Sequence, residues 1–584
     1  MKRLLLSGFF LLSLLSVTAQ HTVSGIVSDK KDNTKLLSEV SVYMPEFNRQ
    51  DFSKEGGTYI LRNVGIGKVT IQFTKVGYRP LVKVIDTKDS ATVLNVELEP
   101  SAEELQEVSV TADRISSSTA LPFATTIVSG SELRKTGVLH PLAALSFNPG
   151  IDRITQGNGI QRPVIRGLSG SNVINYQYGV RLENQSWDEL QDLEVNDAGT
   201  DYVEVVKGPA SLLYGPNALG GVLVWNEEKT PVAGHISGRV DAAYHTNTAG
   251  FESGLNLKGA SKKGLFYSLN FGNRIHSSYI QGDSGAVEKN QIDKDFAANS
   301  KFNHTDIKAM IGLSKKWGVS KLTFSMLQQQ LGVIEFENKD SIPKDGSFTK
   351  EQREYELEAP YLDVNSKILS WQNSIILGSG SLQANFSMQN SKRIEYEPGT
   401  TSGTKEDRID LNLNTHTYDI HYITDPSKKA GITAGVQGMM QQSKNEGEFA
   451  IVPNTSTTDA GVYVVGRYDL KKITFLGGGR FDQRSLALSS YITPAHDTLF
   501  SKNDLTYRAP SYALGTVWKV SNDFAVRLNC AGGFTPPNAY QLADNGRKEG
   551  GYLYEKGDSS LKASVNRQLD LGVSYDRPSI GFTA

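Results

Sequence analysis

Residues 205–224 read VVKGPASLLYGPNALGGVLV. A glycine-rich turn between two short apolar runs has the composition of a phosphate-cradling loop, because glycines let backbone N–H groups approach an anion. The details exclude that chemistry. No Gly-Lys-Ser/Thr closes the turn, and Lys207 precedes the glycines instead of ending them. No HxxE or HExxH zinc pattern occurs, and no nucleophile–base constellation stands out. The nine histidines are scattered. His416 and His421 suit a strand surface as well as they suit a ligand. The sequence therefore points to no metal site, no cofactor and no enzyme.

The elements that hold this turn belong to an exported chain. The first residues, MKRLLLSGFFLLSLLSVTAQ, carry Lys2 and Arg3, then an apolar run, then Val17-Thr18-Ala19. This predicts a signal peptide over 1–19. The run of about 14 apolar residues is too short to span a bilayer. No later stretch has the length and apolarity of a transmembrane helix. Cys530 is the only cysteine, so there is no internal disulfide, and a net charge of −2 gives no reason to expect nucleic acid as a partner. With 55 glycines and 9% aromatic residues, the composition fits a β-rich protein of several domains.

Residues 20–100 show short β-like runs parted by Gly/Asn/Asp turns, as a small sandwich would. An acidic joint and the stretch EVSVTADR follow, within a predicted linker over 101–119. Val108 and Val110 alternate with polar neighbours, so the stretch can act as a free edge strand that a partner pairs with. Over 120–230 helix and strand mix. Ser131 is the expected N-cap of a helical stretch through Leu133, Val138, Leu142 and Leu145 that stops at Pro149-Gly150. Strands are expected at 162–167, 172–180 and 200–208.

From 231 to 584 alternation with period 2 dominates. Leu265, Tyr267, Leu269 and Phe271 share a face, as do Leu382, Ala384, Phe386 and Met388, and Leu569, Leu571, Val573 and Tyr575. The other face is small and polar, and hydrophilic inserts such as 337–358 alternate with short turns. This favours an antiparallel membrane barrel with a wet lumen over a soluble sandwich array.

The stretch YVEVVKGPASLLYGPNALGGVLV resembles the end of the plug domain of TonB-dependent outer-membrane receptors. The matching positions include Glu204, Gly208, Pro209, Tyr214, Gly215, Gly220 and Gly221. LSFNPGI (145–151) and RPVIRG (162–167, with Arg166 and Gly167) resemble two further plug motifs. EELQEVSVTADR resembles the TonB box, placing it at Glu107, Val108, Ser109, Val110 and Thr111. GGFTPPNAYQLADNG…EKGDSSLKAS resembles a downstream barrel segment. SGIVSD…GGTYILRNVGIGKVTIQFTKVGYRP, with Gly57–Tyr59 and Gly77-Tyr78, resembles the carboxypeptidase-regulatory-like domain, a transthyretin-like sandwich. NVINYQYGVRLENQ departs from the family, with Tyr178 before Gly179 where Asp-Gly or Asn-Gly is usual.

The resemblance implies a mainly β fold: a transthyretin-like β-sandwich, an α+β plug and a transmembrane antiparallel β-barrel in outer-membrane lipid. It implies insertion by the barrel assembly machinery and energised import of a scarce ligand, with TonB, ExbB and ExbD as partners. An iron chelate such as a siderophore or haem heads the ligand classes, followed by cobalamin, other metal complexes and glycans; a signal-transducing receptor is the other reading. Tyr176, Tyr178 and Trp187 are candidates for stacking on a ligand, with packing against the wall as the alternative. For Arg166 an internal salt bridge holding the plug is favoured over ligand contact. The 354 residues from 231 onward support roughly 14–16 strands, fewer than the 22 of the plugged barrels this family resembles. The expectation is of a chain lacking its C-terminal strands.

Overall fold

The computed structural model describes residues 21–44, 49–64, 68–75, 78, 81–87, 91–100, 124–183, 193–208, 211–229, 231, 233–280, 297, 299–334, 354–357, 359–398, 405–424, 429–447, 452–492, 498–521, 524–547, 554–577 and 580–583. The expected signal peptide, the TonB-box residues Glu107 to Thr111, Gly77, Trp187 and Pro209 lie outside the described residues.

The N-terminal unit is a sandwich of two four-stranded sheets. Alternating apolar residues such as Val23, Val27, Val42, Ile71 and Phe73 point inward and form one core. Tyr59 packs edge-on against Phe73 at 5.4 Å, and its hydroxyl donates to the Leu94 carbonyl at 2.6 Å. The short strand Arg49–Phe52, whose sequence RQDF has no apolar alternation, also joins this unit.

The second unit is built on a mixed five-stranded sheet in the order Val180–Leu182, Val173–Gln177, Gly221–Glu227, Thr200–Lys207, Ala124–Ser129. Only Val173–Gln177 and Gly221–Glu227 run parallel. Two short helices, Gly130–Lys135 and Pro141–Leu145, cover it. The first is capped by Ser129, not Ser131: the Ser129 hydroxyl accepts from Glu132 N at 3.1 Å, three residues on. Nor is 172–180 a single strand. Gln177 pairs with Val180 across a two-residue turn, with Tyr178 at φ 51° and Gly179 at φ 80°. Two successive positive φ values give the hairpin turn whose twist matches its strands.

The third unit is a 15-stranded sheet, Ile236–His245 through Ile580–Thr583, in which every strand neighbours the next sheet strand in the chain. All its ladders are antiparallel, and its strands reach 19 residues. Tight turns such as Lys315–Gly318 and Leu377–Gly380 close one end. Long segments such as 277–301 and 333–360 join strands at the other. The outward face carries exposed Val240, Leu257, Phe324, Trp371, Met388, Val464, Leu514 and Leu571. The inward face carries buried Asn256, Asn270, Asp306, Lys308, Gln437 and Arg484. That inversion of the soluble-protein rule is what lipid outside and water or polar protein inside require. No described helix is long and apolar enough to cross a membrane. Among the described residues no ladder joins the first strand of the sheet to the last.

The five-stranded unit sits within this sheet. Its residues Ile174, Tyr176, Leu212, Tyr214 and Val222 share a core with wall residues Tyr463, Val465, Leu476, Ala513 and Ala531. Arg49 of the sandwich donates to Ser314 Oγ and O, both at 3.0 Å, so the sandwich meets the tight-turn end.

Candidate functional site

The glycine-rich turn leaves the Thr200–Lys207 strand at Gly208, φ 95°, and returns through Gly220 into the Gly221–Glu227 strand. A Cβ on Gly221 would lie 2.4 Å from the Val206 carbonyl oxygen, so only glycine lets these strands pair there. Gly215, φ 91°, lies against the guanidinium groups of Arg181 and Arg480. Tyr214 is buried against Tyr176 at 5.1 Å, and the Tyr176 hydroxyl donates to the Tyr214 carbonyl at 3.1 Å. Glu204 is buried within its sheet.

Arg166, φ 52°, and Gly167 turn the chain after the Ile160–Ile165 strand. Its Nη1 donates to Asp570 Oδ1 at 2.7 Å. The ion pair expected for Arg166 therefore ties the inner unit to the wall, not to itself. Tyr176 and Tyr178 are both buried. Gln437 Nε2 donates to the Tyr176 hydroxyl at 2.7 Å, and the Tyr178 hydroxyl donates toward Asn196 O and Ala198 O, at 3.1 and 3.0 Å. The Lys308 ammonium stands 3.5 Å above the Tyr178 ring. These contacts show how a tyrosine is held at a φ that costs about 1–2 kcal/mol. They also place both rings in the packing between unit and wall.

Polar contacts line much of that boundary, beside an apolar patch where Ile160 packs on Phe302, Leu331 and Leu362. Asn196 Nδ2 donates to Ile307 O, Met326 O and Ser325 Oγ at 2.9–3.0 Å. Gln389 and Gln441 donate to the carbonyls of Arg181 and Glu183, at 2.7 and 3.0 Å. Gln372 donates to the Tyr178 carbonyl. Asp197 takes two bonds from Arg274 at 2.5 and 2.6 Å. Burial opposes ionisation of Asp197, but the Arg274 guanidinium outweighs it and holds the carboxyl at about 2. Glu227 is likewise buried, and Lys321 and Lys308 bring its carboxyl down to about 2. Burial pushes the Tyr178 phenol well above its ordinary range.

A narrow open cleft lies between Ser171, Arg181 and Glu183 of the inner unit and Gln441, Thr457 and Arg484 of the wall. Arg484 is held by Asp459 at 2.7 and 2.5 Å, and Arg181 pairs with Glu183. The cleft thus offers fixed charges of both signs among amides, hydroxyls and apolar side chains such as Ile174, Met439 and Leu486.

Sequence reading missed Asp197, Glu227, Arg274, Lys308 and Asp570, because nothing in local spacing pairs residues that stand from 77 to 404 positions apart. It also found no metal-ligand group, whereas the fold brings Asp197, His304 and Asp306 together. The polar seam has a mechanical consequence. Its neutral hydrogen bonds can be exchanged for bonds to water at small net cost, whereas displacement of the unit also uncovers the apolar contact of Ile174, Leu212 and Val222 with Val465 and Leu476.

Comparison with known proteins supplies the family. Residues 117–222 match the TonB-dependent Receptor Plug Domain, 225–584 the TonB dependent receptor-like beta-barrel, and 23–110 the CarboxypepD_reg-like domain. The Ferrioxamine B receptor of Salmonella typhimurium (strain SL1344) is 28% identical over 111 residues, 18% of this chain, and the match spans 16% of that relative's length. The ferric yersiniabactin uptake receptor of Yersinia pestis shares the fold at a TM-score of 0.57 and 16% identity, over 78% of this chain and 70% of that one. The siderophore receptor PiuA of Acinetobacter baumannii does so at 0.60 and 14%, over 82% and 73%. The family consists of transport receptors and not enzymes. With the barrel family matched from 225 to 584, the chain belongs to the TonB-dependent receptors, proteins of the bacterial outer membrane.

Proposed function

We propose that this receptor actively imports a scarce iron chelate, a siderophore or haem, across the outer membrane. The observation that carries the reading is a plug seated in the barrel through both polar and apolar contacts, with a cleft bearing fixed charges of both signs between plug and wall. A ligand with both charged or hydrogen-bonding groups and apolar surface, as an iron chelate has, matches that mixed lining. The stretch similar to the Ferrioxamine B receptor favours the same class. Glu107 to Thr111 serve as the TonB box. TonB adds to this segment as a strand, and force relayed from ExbB and ExbD displaces the plug.

The test is uptake of ⁵⁵Fe-loaded hydroxamate, catecholate and haem by iron-starved cells expressing the full-length receptor, with and without TonB. Saturable uptake of one chelate that vanishes without TonB is expected. Uptake equal in both strains, or no uptake beyond that of cells lacking the receptor, contradicts the reading.

A further inference from the structure

We propose that Asp197, His304 and Asp306 form a divalent transition-metal site that bridges plug and barrel. Asp197 belongs to the plug segment just before the Thr200–Lys207 strand, whereas His304 and Asp306 stand two apart on Phe302–Lys315. The period-2 alternation turns both wall residues inward, and both are buried. One donor atom from each of the three lies within 4.8 Å of the others. Asn196 pins the plug segment beside them through three bonds to Ile307, Ser325 and Met326.

Two features point to a ligand beyond the ion pairs. Asp306 is 1% exposed, among the described residues no N–H or hydroxyl donates to its Oδ1, and its carboxyl lies within hydrogen-bonding reach of the Asp197 carboxyl, so two carboxyl groups meet with no fixed donor between them. Its Oδ2 meets His304 Nε2 at 2.7 Å, and His304 Nδ1 meets Gln329 Nε2 at 3.0 Å. Two carboxyl groups thus converge beside Arg274 and the His304 ring, and a divalent ion would hold both as carboxylates. One imidazole nitrogen with two carboxylate oxygens suits Zn²⁺, Mn²⁺ or Fe²⁺ better than Ca²⁺, which prefers an all-oxygen shell. Binding requires the single proton of the neutral His304 ring to leave Nε2 and return at Nδ1 through solvent, which frees the Nε2 lone pair with no net proton release. Rotation of the Gln329 amide would then let Gln329 accept from Nδ1–H and orient the ring. Arg274 keeps its bonds to Asp197 from outside the metal. The ion would tie the plug to the wall at a point the TonB-driven force must break. The site does not depend on which ligand the receptor imports.

The test uses the full chain in detergent, stripped with EDTA and titrated with Zn²⁺ by calorimetry and with Mn²⁺ by EPR. One ion per chain is expected, with at least tenfold weaker binding in both Asp306→Asn and His304→Ala. Asp306→Asn preserves shape and packing, and heat-modifiable gel mobility reports whether each variant is folded. His276→Ala, which alters the neighbouring His245–Glu252–His276 group, should bind as the parent does. No stoichiometric binding, unchanged binding in folded Asp306→Asn, or a loss confined to His276→Ala would overturn the proposal.

Discussion

Arg166 of the plug and Asp570 of the barrel meet at 2.7 Å across 404 residues of chain. Both side chains are partly open to solvent, so the pair sits at the weak end of the seam, with a contribution of about 0–1 kcal/mol. Arg166→Ala should therefore leave the receptor folded and raise its ion leak across planar bilayers only slightly. In a double-mutant cycle with Asp570→Ala, the coupling should fall within that small range.

Arg274 and Asp197 should behave differently, being more enclosed. Arg274→Ala leaves a half-buried carboxylate without its cation, at a cost on the order of 1–3 kcal/mol. Chemical denaturation should show the plug unfolding well before the barrel in this variant and at nearly the parental midpoint in Arg166→Ala. Equal midpoint shifts would contradict the ranking.

The Glu227 pairing makes plug cohesion sensitive to acid. Its carboxyl lies at about 2 in the folded protein and near 4.5 when free. A lowered folded value means the contribution is present in full above the free value. It is lost as pH falls through the folded one. Protease resistance of the plug should be flat above pH about 5 and decline between about pH 4.5 and 2. Glu227→Gln should lack this acid step and already be weaker at neutral pH by a few kcal/mol, roughly.

Gly221→Ala places a methyl group 2.4 Å from the Val206 carbonyl oxygen, in backbone that cannot easily shift. The two central plug strands would have to part. Destabilisation of more than about 3 kcal/mol, seen as a protease-sensitive plug in an otherwise heat-modifiable barrel, is expected. A parental digestion pattern would contradict the close packing at this glycine.

What could be read from the sequence was local in origin. Leu265, Tyr267, Leu269 and Phe271 announce an outward face because strand side chains alternate, and all four are exposed. The roughly 14–16 strands expected from chain length compare with 15 in the sheet. The glycine-rich turn was recognisable by its run of residue types, and Gly221 stands where a Cβ would meet the Val206 carbonyl oxygen. The hairpin at Tyr178-Gly179 was not, since tyrosine rarely takes positive φ, and its support from Lys308 and Asn196 comes from distant segments. The burial of Tyr176 and Tyr178 was beyond reach for the same reason: an aromatic that packs and one that binds look alike until the opposing wall is known. Asp197 with Arg274 and Asp306, and Arg166 with Asp570, exist only once the plug is inside the barrel.

The central claim is that TonB pulls on residues 107–111 to drive import. The most direct measurement is chelate uptake by Val108→Pro beside the parent, with cell-surface ligand binding measured in parallel. Proline removes a strand donor and fixes φ, so TonB should lose its edge to pair with. The account predicts parental surface binding with uptake reduced to the level of cells lacking TonB. Uptake at the parental rate in Val108→Pro would contradict it.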